Sequence, residues 1–287
     1  MKFSIGVGFA FFFFCVSAFS PTIACEVQDD AGRIIQLSRP ATRIISLAPD
    51  LTELLFAVGA GHQIVGVVRG SDFPDEARAL PVVATYNSLN EEAILALHPD
   101  LIVVWLGNSA VQRERLSRGT VPVFFSHQRD LSDVPKTMRK LGCLAGTQKD
   151  ANLAAAHFSK QLAKLRQQYH DQRKLSVFYQ VSSRPLMTIN HESWINQVIT
   201  LCGGQNIFAD VKAVAPVINR EALILADPDV IMGADVSEWR AWPILRSVQN
   251  KHLFAVSPDL LERAGPRLLQ GVAKVCRDLA TTRGNSM

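Results

Sequence analysis

The chain has 287 residues, of which 48% are apolar and 20% are charged, an ordinary globular balance with ample material for buried cores. That length suits one large domain or two of roughly 100–150 residues each. The net charge of +4 is too mild for a nucleic-acid partner, and no run of five or more Lys and Arg occurs.

The chain opens on an export pattern. Lys2 is the only charge before Glu26, and Ile5 to Phe19 is an unbroken run of apolar or small residues. A basic start, a short apolar stretch and small residues before a cut describe a secretory signal over residues 1–24. The run falls short of the roughly 20 residues that span a bilayer as a helix. Thr22-Ile23-Ala24-Cys25 fits cleavage after Ala24, which leaves a soluble chain. It also resembles a lipoprotein site in which Cys25 carries the lipid, although Thr22 stands where a large aliphatic residue is usual. The soluble form is favoured.

After residue 40 the pattern is α/β. Arg43 to Leu47 reads as a buried strand, followed by Pro49-Asp50-Leu51-Thr52-Glu53, in which Asp50 is placed to cap a helix with Glu53 as the reciprocal partner. That helix runs through Leu54, Leu55, Phe56 and Val58 and stops at Gly59 to Gly61. Ile64 to Val68, Leu101 to Leu106 and Val121 to Phe125 are continuous apolar runs, the signature of strands covered on both faces in a parallel sheet. The second half repeats the grammar. Ser176 to Val181, Val230 to Met232 and Leu253 to Val256 read as strands, Trp194 to Leu201 as a helix, and Pro266 to Thr282 as a closing helix.

Two segments match without gaps. NEEAILALHPDLI (90–102) and NREALILADPDVI (219–231) agree at six of thirteen positions, each a helix running through Pro-Asp into a buried strand. This predicts two related lobes, 41–148 and 175–282. Between them, residues 149–174 contain no Gly or Pro, with Leu153, Phe158, Leu162 and Leu165 at helical spacing. They predict one continuous connecting helix, too stiff for large lobe movements. The expected fold is α/β, with two Rossmann-like lobes built on central parallel sheets and joined by a single long helix.

Catalytic motifs are absent. There is no GxSxG or HExxH, and Gly59-Ala60-Gly61 follows a helix instead of linking a strand to a helix, so no phosphate cradle is expected. The seven His are scattered, and no CxxC or Cys/His pair has metal spacing. A binder is therefore favoured over an enzyme, with no cofactor or catalytic residue expected.

RIISLAPDLTELLFAVGAG with VGVVRGSDFP, ESWINQVITLCGGQNIFAD (192–210) and LERAGPR (261–267) together resemble class III substrate-binding proteins of ATP-driven importers, in the vitamin B12-binding branch. The likeness runs from about residue 41 to 280. It implies a monomeric periplasmic protein that holds cobalamin or a related corrinoid between its lobes and delivers it to a two-fold symmetric ABC permease. Haem or a ferric siderophore is the alternative cargo, with Tyr86 the candidate axial ligand, and an exported metal-assisted hydrolase is the alternative of another class.

The resemblance assigns Gly70, Tyr86, Trp105, Asp259, Leu260, Leu261, Glu262 and Arg263 to ligand contact, with Trp105 and Tyr86 as stacking rings and Asp259 and Arg263 bonding amides on the ligand rim. It assigns Glu92 and Glu221, equivalent in the repeat, to permease docking. It pairs Cys202 with Cys276 and leaves Cys143 a buried thiol. The chain departs from the B12-binding pattern at Gly70, Val181, Ala215 and Leu260, where aromatics are usual. Each lost ring costs about 1 kcal/mol of contact. Trp239 and Trp242 are candidates to compensate.

Overall fold

The computed structural model describes residues 24–284, and the export segment up to residue 23 lies outside them. The described chain begins with a hairpin, β1 (Cys25–Gln28) and β2 (Ile34–Leu37). Asp29 closes its turn by accepting from the backbone N–H of Ala31 and Arg33. No sequence pattern announced this hairpin.

The first lobe continues with β3 (Ile44–Ser46), α1 (Pro49–Ala57), β4 (Ile64–Val68), β5 (Val82–Ala84), α2 (Glu91–Ala96), β6 (Leu101–Trp105), α3 (Ala110–Arg118), β7 (Val123–Ser126) and α4 (Asp133–Ala145). Its strands pair in the order β5-β4-β3-β6-β7, all parallel. Ile44, Ile45, Leu101, Ile102, Val103 and Val104 are buried to either side of the sheet, which is why these strands read as continuous apolar runs.

The long helix, α5, spans Gln148–Tyr169, 22 residues or about 33 Å at 1.5 Å per residue. It ends five residues short of the expected 174. Arg173 has left the helix, and its carbonyl accepts from Nε of Arg283 at 2.9 Å. Only two members of the expected leucine stripe are buried. The inward face is Ala151, Ala155, Phe158 and Leu162, whereas Leu153 points to solvent. Gly142 of α4 lets α5 approach closely, since a Cβ there would lie 2.1 Å from that of Ala151.

The second lobe contains β8 (Leu175–Gln180), the short hairpin β9 (Ser182–Ser183) and β10 (Leu186–Met187), α6 (Trp194–Leu201), β11 (Gly204–Asn206), α7 (Arg220–Ala226), β12 (Val230–Gly233), α8 (Arg246–Gln249), β13 (Leu253–Ala255), α9 (Pro258–Leu261) and α10 (Leu268–Gly284). Its parallel sheet has the order β11-β8-β12-β13, which is the order of β4-β3-β6-β7. One apolar cluster runs through both lobes by way of α5 and α10 and includes Ile44, Phe158, Val177 and Val272. The connecting helix is therefore packed into each lobe. Smaller clusters cover the outer faces of the two sheets.

The repeat is structural. Asn90 and Asn219 cap α2 and α7, accepting from Ala93 N–H at 3.0 Å and Ala222 N–H at 2.8 Å. Each Pro-Asp carboxylate anchors the start of its lobe's central strand. Asp100 accepts from the N–H groups of Thr42 and Arg43, just ahead of β3, and Asp229 from that of Ser176, in β8.

The structure corrects two expectations. The capping box at α1 does not form: Ala48 is the cap residue and no side chain caps the helix. Glu53 is 1% exposed and its carboxylate is taken by Arg263 and Arg267 instead. Cys143 is no lone thiol. It forms a disulfide with Cys25, tying the opening hairpin to α4. The second disulfide joins Cys202 to Cys276, fastening α10 behind α6.

Candidate functional site

The carboxyl ends of the two sheets face a common cleft, the usual ligand position for open α/β sheets. A cavity of about 870 Å³ is lined from the first lobe by Trp105, at the end of β6, and by His127 to Asp130, after β7. From the second lobe it is lined by Val181, Ile189, His191 to Ile195, Val214, Ala215 and Glu262. A second cavity of about 300 Å³ adjoins it, lined by Leu47 to Asp50, Arg69, Tyr86, Asn108, Arg263 and Ala264 among others. Trp105, Gln128, Trp194 and Glu262 line both, so the two spaces form one hollow.

Of the eight residues assigned to ligand contact, Tyr86, Trp105, Glu262 and Arg263 are brought together in these walls. Tyr86 is 73% exposed, held through its backbone carbonyl by Gln112. The other four lie outside the lining. Gly70 occupies a left-handed turn (φ +90°) just beyond Arg69, a conformation that disfavours any side chain. Leu261 is buried in the shared core, and Asp259 and Leu260 precede it on α9.

Sequence reasoning missed Trp194. Its ring is fixed by Nε1 donating to the Leu261 carbonyl at 2.9 Å. The available signal was its place at the start of a helix within 192–210, a segment that carries the family resemblance. The proposed compensators are corrected. Trp239 is 0% exposed, donates Nε1–H to Gln180 Oε1 at 2.6 Å and meets Phe178 edge-on in the outer core. Trp242 packs on the same cluster.

The polar groups are already paired. Arg263 donates to Glu53 (3.2 Å) and Asp72 (2.7 Å) and forms an ion pair with Asp259 (2.8 Å). Arg267 bonds both oxygens of Glu53 and stacks over Phe73, 4.1 Å from the ring centre. Because Glu53 is on α1 and both arginines lie just ahead of the closing helix of the other lobe, this network clasps the lobes beside the cleft. Hydrogen bonding from Arg263 holds the Asp72 carboxyl below the usual range. Burial raises Glu262, against the opposing hydrogen bond from the Tyr179 hydroxyl at 2.9 Å. Asp50 keeps an edge on the smaller cavity, yet the protein packed around it pushes its carboxyl up to about 6.

Glu92 and Glu221 are the second residues of α2 and α7, exposed and without side-chain partners among the described residues. Neither lies in the cleft. Among the described residues no group of three His, Cys, Asp or Glu side chains is arranged to hold a metal ion.

Two α/β lobes on a packed helical spine, with an aromatic-walled hollow between them, define a bilobal binding protein with a rigid linker. The chain belongs to the periplasmic binding protein family, whose model matches residues 44–258. A vitamin B12-binding protein of Vibrio cholerae is 34% identical over 261 residues, 88% of this chain and 95% of the relative. That of Vibrio parahaemolyticus is 32% identical over 253 residues, 86% of this chain and 92% of the relative. The crystal structure of the periplasmic vitamin B12-binding protein of Vibrio cholerae matches with a TM-score of 0.81 at 35% identity, covering 85% of this chain and 98% of that one. A periplasmic heme-binding protein from Roseiflexus sp. RS-1 shares the fold, with a TM-score of 0.74 at 20% identity over 84% of this chain and 99% of that one.

Proposed function

We propose that this chain is the periplasmic, non-enzymatic capture component of an ABC importer, and that it holds cobalamin or a related corrinoid in the hollow between lobes 41–148 and 175–282. The observation that carries this reading is the hollow itself. Its main cavity of about 870 Å³ is walled by Trp105 from one lobe and Trp194 from the other. Flat aromatic faces give a broad macrocycle large contact area at little side-chain entropy. The relatives' similarity along most of the chain supports the same ligand class.

Tyr86 extends the wall, and Glu262 and Arg263 supply polar groups for the amides on a corrinoid rim. Arg263 reaches them only by exchanging one of its carboxylate partners. Gly70 and Asp259 to Leu261 act from behind the lining, by shaping the turn and placing Glu262. Glu92 and Glu221 are the docking pair. One exposed, unpaired carboxylate on each of two equivalent helices suits a permease with two equivalent basic sites, because both contacts form at once. Such rim charges set orientation and encounter rate more than affinity. The protein is released from its signal as a soluble monomer, with Cys25 in a disulfide.

Titration with cyanocobalamin, followed by tryptophan fluorescence, tests the reading. Saturable one-to-one quenching is expected, with Trp105→Ala weakening binding by about tenfold, as loss of one stacking ring and its contact area implies. Quenching by hemin or a ferric siderophore but not by cyanocobalamin would reassign the cargo.

A further inference from the structure

His191 stands in the loop between β10 and α6, exposed on the wall of the larger cavity. Its ring is not free to turn. The backbone N–H of His191 donates to the Ala209 carbonyl at 3.0 Å, and ring Nδ1 meets the same oxygen at 2.7 Å. A carbonyl only accepts, and its two lone pairs serve two donors, so Nδ1 carries the proton. In the neutral ring the lone pair is then on Nε2, which has no hydrogen-bond or ionic partner among the described residues. An imidazole whose Nδ1–H is held by a backbone carbonyl while Nε2 is open is the arrangement that fixes tautomer and orientation in metal-ligating histidines.

The surroundings favour a metal inside a macrocycle over a bare ion. No further His, Cys, Asp or Glu side chains converge with His191 into a chelating group among the described residues. Trp105 and Trp194, two flat rings, line the same cavity. His127, across the cavity, differs: its Nδ1 is buried with no partner, so nothing fixes its tautomer.

We propose that His191 Nε2 is an axial ligand to the metal of a macrocycle held in the hollow, wherever the bound corrinoid presents an exchangeable axial water. This rests on the corrinoid reading of the hollow and adds to it the side chain that meets the metal. The step is a ligand exchange. The cobalt–water bond breaks, a cobalt–Nε2 bond forms, water leaves, and the oxidation state of cobalt is unchanged.

The test uses two probes on the mature protein. Diaquacobinamide has water on both axial positions, whereas cyanocobalamin has both filled and reports corrinoid binding without coordination by the protein. With diaquacobinamide, the wild type is expected to give the visible-absorption shift of water replaced by imidazole. His191→Ala and His191→Gln, which keep the melting temperature because the side chain is exposed, lose the shift and bind diaquacobinamide about tenfold or more weakly. Free imidazole restores the shift in His191→Ala. Persistence of the shift in His191→Ala overturns the proposal. So does diaquacobinamide binding, seen by tryptophan quenching, with no shift in the wild type; in that case the corrinoid reading stands. Failure of both probes to bind removes the proposal and the corrinoid reading together.

Discussion

The two lobes share four strands in the same order but treat one position in opposite ways. Helices α1 and α6 each come after the central strand of their lobe. Counted from the cap residues, Ala48 and Ser193, Glu53 of the first corresponds to Val198 of the second. Both are buried. Val198 is simply core. Glu53 is tolerated because Arg263 and Arg267 cross from the other lobe to meet it. A buried carboxylate is stable only when paired and hydrogen-bonded, so this difference converts an ordinary core position into an inter-lobe tie. The connection leaving the central strand also differs. The first lobe turns directly into α1, whereas the second inserts the β9–β10 hairpin and the loop carrying His191 to Ser193, which with Trp194 at the start of α6 builds much of the larger cavity. Duplication supplies the scaffold and Trp105 at the end of a shared strand, and the unshared segment adds the facing wall.

This contrast between the lobes is open to attack at three points. The largest effect is expected from the staples, one per lobe. Cys25–Cys143 closes a separation of 118 residues and Cys202–Cys276 one of 74. Loop entropy varies slowly with length, so replacing either pair by serines should cost a similar amount, about 4 kcal/mol in urea denaturation. A negligible cost for the Cys25–Cys143 pair would mean that the opening hairpin is not an integral part of the first lobe.

Next comes the tie. Glu53→Ala leaves Arg267 without its carboxylate and Arg263 with only Asp72 and Asp259. The expected loss is about 3 kcal/mol, as for a broken buried pair. Val198→Ala, its counterpart, should cost about 1–2 kcal/mol by cavity formation alone. Equal costs would show that Glu53 does no more than fill space.

The smallest effect is one of pH. The Asp50 carboxyl stands at about 6 in the fold, raised above its ordinary 3.8 by burial. The folded state therefore holds the proton more tightly than the unfolded chain. Its stabilising contribution is full below about pH 4 and is lost as pH rises through 6. Across that window the change is on the order of 2 kcal/mol, reduced because one edge meets the cleft. Asp50→Asn should flatten this part of the stability profile measured by urea unfolding between pH 4 and 7. An unchanged slope would mean that Asp50 is solvated.

Much of the scaffold was legible in the sequence because its signals are local. Ile64 to Val68 forms a strand with the bounds its apolar run announced, and the two Asn-capped helices leading through Pro-Asp are visible as a repeated string. The misread features share a different physics. Asp50 and Glu53 have the spacing of a capping box, but spacing does not reveal that two arginines more than 200 residues away compete for the same carboxylate. Leu153 lies outside the buried stripe because alanines, not leucines, let α4 and α5 approach. Trp194 and Trp239 look alike in a string, yet one lines the cleft and the other fills the core.

From its sequence alone this protein is determined to have an export pattern at its start, an α/β alternation, a duplicated helix-to-strand unit and a stiff linker. Each is written in patterns of neighbouring residues and enforced by capping, burial and chain stiffness. The tertiary structure alone decided which rings face the hollow, which arginines clasp Glu53, that Cys143 meets Cys25, and that His191 is turned so that Nε2 stays open. Those outcomes depend on groups far apart in the chain arriving within bonding distance, which no local periodicity encodes.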